Sequence, residues 1–274
     1  MTSSTKTKIH LTKVQETLLI TLYAKAIDNR SERPILHDAK ADKLVEMIDY
    51  DFTKLNSWGN DNLIVVRAKQ YDEWIQEFIQ HNPACIVLHL GCGLDTRITR
   101  IAPPATVRWF DVDFPDVIQL RKNFYADGAG YRMIASSITD PAWLQEIPAG
   151  QPTLIVAEGV LEYLTREEVK TLLNRLTDYF SHGKIAFDVM NSFAIRSAKS
   201  AKNEPTAGLH VWEVNDLREV DVLDAKLKRE NAISIFHSPF IGKLPIKYQL
   251  IYRSMALVPQ FRNMIRLLRY QFYP

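Results

Sequence analysis

The sequence predicts a doubly wound α/β fold with a mostly parallel seven-stranded sheet and an N-terminal helical cap. Short apolar runs bounded by turn residues, such as CIVLHL and TLIVA, are typical of buried strands. Segments with helical periodicity separate several of these runs, which indicates crossovers between parallel strands. The residues before the first apolar run have the periodicity of helices only.

Length and composition bound the possible functions. The chain has 274 residues, 46% hydrophobic and 24% charged, which is ordinary for one large globular domain. The formal net charge of +2 is too small to indicate a nucleic-acid partner. Cys85 and Cys92 match no metal or redox spacing, so we expect two reduced, buried thiols and a reducing compartment.

Residues 1–80 form the predicted cap. Leu18 and Leu22 lie four positions apart on one stripe, and residues 39–48 and 63–79 form two further periodic stretches. The N-terminal segment MTSSTKTKIH is polar and has no apolar core of a signal peptide, and no apolar run approaches the length of a membrane span. Residues 81–274 then form the predicted sheet domain.

Seven segments of this second part are predicted as strands. A clear helix separates the fourth from the fifth, from Arg166 to Phe180, and Thr165 with Glu168 can form a capping box at its start. The predicted strands are residues 85–90, 107–113, 131–135, 153–157, 184–190, 232–236 and 247–252.

The C-terminal segment FRNMIRLLRYQF is predicted as an amphipathic helix. Phe261, Ile265, Leu268 and Phe272 share one stripe when the segment is drawn with helical periodicity. Such a helix could lie on a membrane surface, but docking on its own domain or at a dimer interface fits better. We therefore expect a monomer or a homodimer without membrane contact.

The turn after the first strand is the first candidate for a ligand site, because ligands of parallel sheets bind at the carboxyl ends of the strands. Gly91 and Gly93 allow the backbone to approach a ligand there. The dinucleotide fingerprint requires a third glycine where this chain has Thr96. The turn therefore suits a ligand with an adenosine but no diphosphate, such as S-adenosylmethionine, or it only changes the chain's direction.

Acidic residues at the next strand ends favour the ligand interpretation. Asp111 and Asp113 lie about twenty residues after the glycines, where an acid of nucleotide-binding folds accepts the ribose hydroxyl hydrogens. Asp113 is nearer the strand's exit and is favoured, although one of the two carboxylates could instead cap the following helix. Glu158 closes another apolar strand, where a buried acid needs a ligand or an arginine as partner.

With these residues the chain resembles the leucine carboxyl methyltransferase superfamily, and more nearly its branch of polyketide-synthesis O-methyltransferases. The resemblance spans roughly residues 17–190. It is carried by TLLITLYAKAIDNRSERPILHD, IDYDF, VVRAKQYD, HLGCGLDTR, WFDVDFPDVIQLRK, IASSITDPAW, LIVAEGVLEYL and KIAFDV. It implies a class I methyltransferase, a Rossmann-like fold that uses S-adenosylmethionine as cofactor, and a cytoplasmic enzyme.

The resemblance also implies roles for individual residues. Arg67 holds the carboxylate of the cofactor's methionine portion, and Lys25 of the cap assists. Ser137 and Ile138 flank the adenine, and Glu158 lies near the methionine end. Gly91 and Gly93 carry over as the close-approach glycines and Asp113 as the ribose acid. Many relatives have Asp where Ser137 stands, and a hydroxyl is the weaker acceptor for the adenine amino group.

The acceptor pocket is expected in residues 191–274, which match the family least. His210, beside Trp212, and Arg196, on a predicted helix, are the candidates for contact with the acceptor. His89 lies within the first strand and is expected to be a core histidine. The sequence assigns no catalytic residue and no metal site.

The predicted reaction is methyl transfer to a carboxylate or a phenolic hydroxyl of a small, polyketide-like molecule. Three alternatives stay open: a protein C-terminal carboxyl methyltransferase, a non-catalytic protein that binds S-adenosylmethionine, and a nicotinamide-dependent oxidoreductase. Thr96 and the absence of a Tyr-x-x-x-Lys pair count against the last of them.

Overall fold

The computed structural model describes residues 7–8, 13–55, 61–200 and 209–273. Its main sheet has seven strands in the order β3-β2-β1-β4-β5-β7-β6; β1 to β5 are parallel, and β7 is antiparallel to both of its neighbours. The strands are β1 Ile86–Leu90, β2 Arg108–Asp113, β3 Tyr131–Ala135, β4 Thr153–Ala157, β5 Gly183–Met190, β6 Leu227–Ser234 and β7 Ile265–Phe272.

Helices precede the sheet and cover both of its faces. The α-helices are α1 Lys13–Asn29, α2 Ala39–Met47, α3 Asp61–His81, α4 Arg97–Ile101, α5 Pro115–Arg121, α6 Arg166–Tyr179, α7 Ser192–Ser200, α8 Arg218–Asp221, α9 Ile246–Leu257 and α10 Pro259–Arg262. Short 3-10 helices span Phe52–Lys54, Ala142–Glu146, Leu161–Tyr163, Ile235–His237 and Pro239–Lys243.

The core lies on both sides of the sheet because alternate strand residues point to opposite faces. Leu88 and Leu90 of β1 pack in one cluster with α6, whereas Val87 packs on the other face with α3 and α9. Both faces of β1 and β4 are buried, as expected for central parallel strands. The predicted fold class is therefore confirmed.

The cap has a core of its own that also contacts the sheet domain. Leu19 and Leu22 of α1 pack with Leu44 of α2, and this cluster reaches Leu94 in the turn after β1. A two-residue parallel ladder joins Thr7–Lys8 to Ile48–Asp49. The cap therefore lies directly against the predicted ligand turn.

The capping box at the start of α6 is confirmed. The Thr165 hydroxyl accepts a hydrogen bond from the Glu168 amide at 3.3 Å, and the Glu168 carboxylate accepts one from the Thr165 amide at 2.8 Å. These two bonds satisfy donors that have no partner within a helix's first turn.

The predicted seventh strand, residues 247–252, is wrong: these residues lie in α9. Tyr252 and Ala256 share a buried stripe with helical spacing, and Tyr252 packs on Phe236 at 5.6 Å between ring centroids. Pro245 stands at the N-cap, where it precedes the helix without breaking it. The tyrosines and apolar residues of KYQLIY are also common in strands. The segment is helical because of the tertiary contacts that it makes.

The predicted C-terminal helix is also wrong. Ile265–Phe272 is β7, inserted between β5 and β6, and only Phe261 of the predicted stripe lies in a helix, α10. Arg269, which a strand in this position would bury, is paired with Glu77 at 2.7 Å and Glu230 at 3.1 Å. These tertiary ion pairs make a charged residue tolerable in an interior strand, and no local pattern contains them.

The predicted sixth strand is present but displaced toward the N-terminus. The local sequence pattern places it at residues 232–236, whereas β6 spans Leu227–Ser234 and a 3-10 helix begins at Ile235. The segment LKREN is polar because β6 lies at the edge of the sheet and exposes part of its surface. Among the described residues, no helix is long and apolar enough to cross a membrane.

Candidate cofactor and acceptor site

A cavity of about 560 Å³ opens at the carboxyl ends of β1, β2, β4 and β5. It extends from the turn after β1, past α1 and α3, to the segments that follow β5 and β6. The structure brings together at this cavity seven residues that the sequence nominates: Lys25, Arg67, Gly91, Gly93, Asp113, Glu158 and His210.

Both glycines of the first turn adopt a left-handed backbone. Their φ angles are 61° at Gly91 and 50° at Gly93, a region that other residues rarely adopt. A Cβ on Gly91 would overlap the side chain of Val160, and one on Gly93 would lie 2.8 Å from Leu18 Cδ2 of the cap. Both positions therefore require glycine for steric reasons, and both also line the cavity.

The two candidate aspartates, Asp111 and Asp113, have different surroundings and different roles. Asp113 lies on the cavity wall, where it accepts hydrogen bonds from the Gly93 amide at 2.7 Å and the Phe114 amide at 2.8 Å. Burial raises the pKa of its carboxyl, while these amides oppose the increase. Asp111 is fully buried away from the cavity and serves as an ion-pair partner.

Asp111 supports the ligand turn through Arg121. The Arg121 guanidinium pairs with Asp111 at 2.5 Å and also donates to the carbonyls of Gly93 at 3.1 Å and Asp95 at 2.6 Å. Tyr131 and Trp109 donate to the same carboxylate at 2.6 and 2.8 Å. The sequence analysis missed Arg121, whose only local signal is a basic residue in the last turn of α5.

The expected core histidine is confirmed. His89 is buried; Arg97 donates to its Nε2 at 3.2 Å, and its Nδ1 lies 3.3 Å from Asp111 Oδ1. Because Nε2 accepts, Nδ1 carries the proton and points it toward Asp111. Cys85 and Cys92 are buried free thiols, and burial raises the pKa of both.

Glu158 lies between two arginines. Its carboxylate pairs with Arg67 at 3.0 Å and with Arg97, and the same Arg67 guanidinium pairs with Asp188 at 3.0 Å. Burial by itself would raise the pKa of Glu158, but Arg97 and then Arg67 lower it to about 2. The Glu158 carboxylate is thus held ionised beside Arg67, after the strand that lies on the other side of β1 from Asp113 and β2.

These pairs belong to one buried network that also joins the cap to the ligand turn. Thr96, at the place of the missing third glycine, donates its hydroxyl to Asp38 at the start of α2. Arg100 pairs with the same Asp38 at 2.6 Å, and Lys25 of α1 pairs with Asp95. Thr96 therefore has a structural role that a glycine could not fill.

Three nominated residues do not line the cavity. The Ser137 hydroxyl is bonded to Thr139 Oγ1 at 2.8 Å, and Ile138 is buried in the core cluster beside α6. Arg196 is exposed on α7, where it donates to Ser192 Oγ at 3.2 Å. Their roles in adenine and acceptor binding stay predictions.

Beyond Arg67 the cavity continues into a mostly apolar space, which we call the chamber. Tyr163 stacks on His210 at one side, with 5.1 Å between ring centroids. Small residues of α7 form another side. The remaining walls are apolar side chains from the segments flanking β6 and β7, namely Ile235, Phe236, Met264 and Ile265.

Glu162 stands where the chamber meets the Arg67 end, and the sequence analysis did not use it. Its side chain lines the cavity, the residue is 3% exposed, and its Oε2 has no hydrogen-bond partner in the part of the chain that the structure describes. Burial, and next the Asp188 carboxylate, raise its pKa to about 8. The one local sign of a buried Glu162 is that this acidic residue stands between apolar residues in VLEYL.

Comparison with known proteins identifies the family. Residues 18–177, more than half of the chain, match the family described as Leucine carboxyl methyltransferase. The chain belongs to the leucine carboxyl methyltransferase family. The chain is 40% identical over 266 residues to the tetracenomycin polyketide synthesis O-methyltransferase TcmP of Streptomyces glaucescens, covering 96% of this chain and 98% of that protein.

A second relative agrees. The S-adenosyl-L-methionine-dependent methyltransferase dpfgK of Gibberella zeae is 33% identical over 255 residues, with 85% of this chain and 86% of that protein covered. The chain is therefore an S-adenosylmethionine-dependent O-methyltransferase of this family. The predicted cofactor is confirmed, and the nicotinamide alternative is set aside.

Solved structures agree on the fold. The plantazolicin methyltransferase BamL, in complex with a triazolic desmethylPZN analog and SAH, superposes with a TM-score of 0.53 at 11% identity, covering 95% of this chain and 97% of BamL. At this identity the likeness concerns the fold alone. It supports the class I methyltransferase architecture derived from the sheet order.

Proposed function

We propose that this enzyme methylates an oxygen atom of an aromatic, polyketide-like small molecule bound in the chamber. The observation that carries the proposal is the continuity of one cavity from the Asp113 rim, past Arg67, into apolar walls with one stacked aromatic pair. Such walls favour a flat, apolar acceptor. The similarity to TcmP, a polyketide synthesis O-methyltransferase, extends over nearly the whole of both chains.

The residues around the cavity fit S-adenosylmethionine. Asp113 offers a buried carboxylate to the ribose hydroxyls, beside a turn whose glycines leave the backbone uncovered. At the other end, Arg67 and Lys25 match the carboxylate of the methionine portion, and Glu158 matches its ammonium group. We assign Ser137 and Ile138 to the adenine, on the same edge of the sheet.

The cofactor supplies a methyl group on a positively charged sulfur. The protein's part is to hold the acceptor oxygen, the methyl carbon and the sulfur in line, so that the O–C bond forms as the C–S bond breaks and its electrons pass to sulfur. Positioning of this kind contributes about 7–11 kcal/mol to catalysis. The buried ion pairs of Arg67 and Arg97 hold the cofactor end of the cavity in one arrangement.

The second assignment concerns residues 191–274, which we propose as the acceptor part of the domain. Met190, α7 and Met264 contribute to the chamber walls together with His210. Arg196 lies outside the cavity, so His210 is the stronger of the two nominated acceptor residues.

The experiment that tests the proposed function uses labelled S-adenosylmethionine and three acceptor panels: aromatic polyketide acids, polyketide phenols, and peptides ending in a free carboxylate. Mass spectrometry identifies products in which one methyl group replaces one proton. The proposal expects turnover in one of the first two panels. Methylation of peptides only would contradict it, as would cofactor binding without any product from the small molecules.

A further inference from the structure

The carboxyl oxygen Oε2 of Glu162 has no hydrogen-bond partner among the described residues, although the residue lies in the cavity wall. On one side its charged neighbours are Arg67, Glu158 and Asp188, at the cofactor end. On the other side the next residue, Tyr163, stacks on His210 in the chamber. Glu162 therefore lines the cavity between the charged residues of the cofactor end and the aromatic pair of the chamber.

The sulfur of S-adenosylmethionine belongs in this part of the cavity. It joins the ribose to the methionine portion, so with the ribose at Asp113 and the methionine carboxylate at Arg67 the sulfur would lie between these two residues. We propose that Glu162 is the residue that distinguishes the sulfonium cofactor from its neutral thioether product, by placing a carboxylate beside the sulfonium charge. This inference rests on the cofactor placement of the proposed function.

The charges around the cavity support this role. Within the described ranges, one set of buried ion pairs links four cations to five carboxylates: Lys25, Arg67, Arg97 and Arg100 with Asp38, Asp72, Asp95, Glu158 and Asp188. The network is thus negative before Glu162 is counted. A further negative charge in this interior is costly, so burial and the nearby carboxylates favour the protonated form of Glu162 in the free enzyme.

Entry of the cofactor changes this balance. Its carboxylate and ammonium groups cancel each other, and the sulfonium adds one positive charge. That charge offsets an ionised Glu162, whose proton leaves to solvent. S-adenosylhomocysteine has the same carboxylate and ammonium groups but an uncharged sulfur, so it leaves Glu162 protonated. The product is then held less tightly than the cofactor, which favours its release after transfer.

The groups that face Glu162 come from every neighbouring segment. Asp188 of β5 and Glu158 after β4 oppose its ionisation, and Arg67 of α3 favours it. The 209–214 segment packs on the same 3-10 helix, where the backbone N–H groups of Val211 and Trp212 donate hydrogen bonds to the Glu162 carbonyl. His210 of this segment and the neighbouring Tyr163 complete the surroundings on the chamber side.

The experiment measures binding of S-adenosylmethionine and S-adenosylhomocysteine to the wild type and to Glu162→Gln by titration calorimetry, in buffers of different ionisation enthalpy. Gln keeps the shape of a protonated Glu but cannot ionise. For a pKa shift of one unit on binding, we expect Glu162→Gln to weaken S-adenosylmethionine about fivefold at pH 8, approaching about tenfold at higher pH, and to leave S-adenosylhomocysteine unchanged. At pH 7 the wild type should release more protons than the variant, by up to one per site.

Two controls make the comparison specific. The cofactor's own amino group titrates near pH 8, and it contributes equally to wild type and variant, so their difference reports on Glu162. Glu167→Gln removes an exposed carboxylate of α6 and should change neither affinity. The affinity of the wild type for S-adenosylmethionine should rise from pH 6 to about pH 8, and that of Glu162→Gln should rise less.

Equal weakening of both ligands by Glu162→Gln would overturn the inference, because Glu162 would then contact the shared ammonium group. Unchanged binding with reduced turnover would also overturn it and would place Glu162 on the acceptor. Failure of S-adenosylhomocysteine to bind the folded wild type would instead refute the cofactor placement. A folded Glu162→Gln variant is verified by an unchanged circular dichroism spectrum.

Discussion

At the scale of the residue, the site is built from charges that neutralise one another rather than from isolated functional groups. Arg67 bridges Glu158 and Asp188, and its guanidinium lies 3.0 Å from the position that a Cβ on Gly159 would occupy. The Asp188 carboxylate also accepts from Tyr71 at 3.2 Å and the Gly159 amide at 2.8 Å. Arg67 is therefore needed by the protein itself as well as by the cofactor.

Arg67→Ala should lower the free energy of unfolding by about 3–5 kcal/mol, because it leaves the buried Asp188 without its cation and Glu158 with Arg97 alone. Chemical denaturation measures this loss. Arg132→Ala is the matched control: its pair with Glu146 is exposed, and we expect a change of about 0–1 kcal/mol. Similar losses in both variants would show that the buried position of Arg67 has no special cost.

At the scale of the element, the β1 exit, the 3-10 helix after β4 and the cap close on one another around the cavity. Gly91 has no room for a Cβ because Val160 stands against it, and Gly93 is similarly placed against Leu18 of α1. Arg121 of α5 holds the same turn by donating hydrogen bonds to the carbonyls of Gly93 and Asp95. The turn's shape is thus set by three elements that are distant in sequence.

Gly91→Ala should destabilise the protein and weaken binding of S-adenosylhomocysteine, since the new methyl group overlaps Val160 and the residue keeps a positive φ. The expected cost is about 2 kcal/mol or more, from overpacking together with backbone strain. Val160→Ala in the same chain should recover the overpacking part but not the strain. A double-mutant cycle on the free energy of unfolding measures the coupling; additive effects would contradict the steric explanation.

At the scale of the whole molecule, buried carboxyl groups with opposite pKa shifts make stability depend on pH in two ways. Glu158 has a pKa lowered to about 2, so its contribution is present above the pKa of the unfolded chain, about 4.3, and is lost as pH falls. Glu162 has a pKa raised to about 8, so the folded state keeps a proton that the unfolded chain loses.

The raised pKa of Glu162 makes the folded state less stable as pH rises. As pH rises from about 5 to 8, the free energy of unfolding of the wild type should fall relative to that of Glu162→Gln, and the difference should level off above about pH 8. Urea denaturation across this range measures it. A difference that does not vary with pH would indicate that Glu162 is ionised throughout in the free protein.

The local patterns were sufficient for the parallel half of the fold and for most of the site. The central strands β1 and β4 are buried along their whole length, so their mostly apolar runs leave a clear pattern in the sequence. Gly91, Gly93, Asp113 and Glu158 follow directly on strand ends, where position along the chain already implies a place at the sheet's edge.

By itself, then, the sequence determined the fold class, the family resemblance with its cofactor, and the strand-end residues of the cavity. Only the tertiary structure decided that residues 265–272 form a strand and 247–252 a helix, because these segments take their form from partners such as Glu77, Glu230 and Phe236. It also singled out Glu162, since the burial of a carboxyl group and the charges around it arise from segments that meet only when the chain folds.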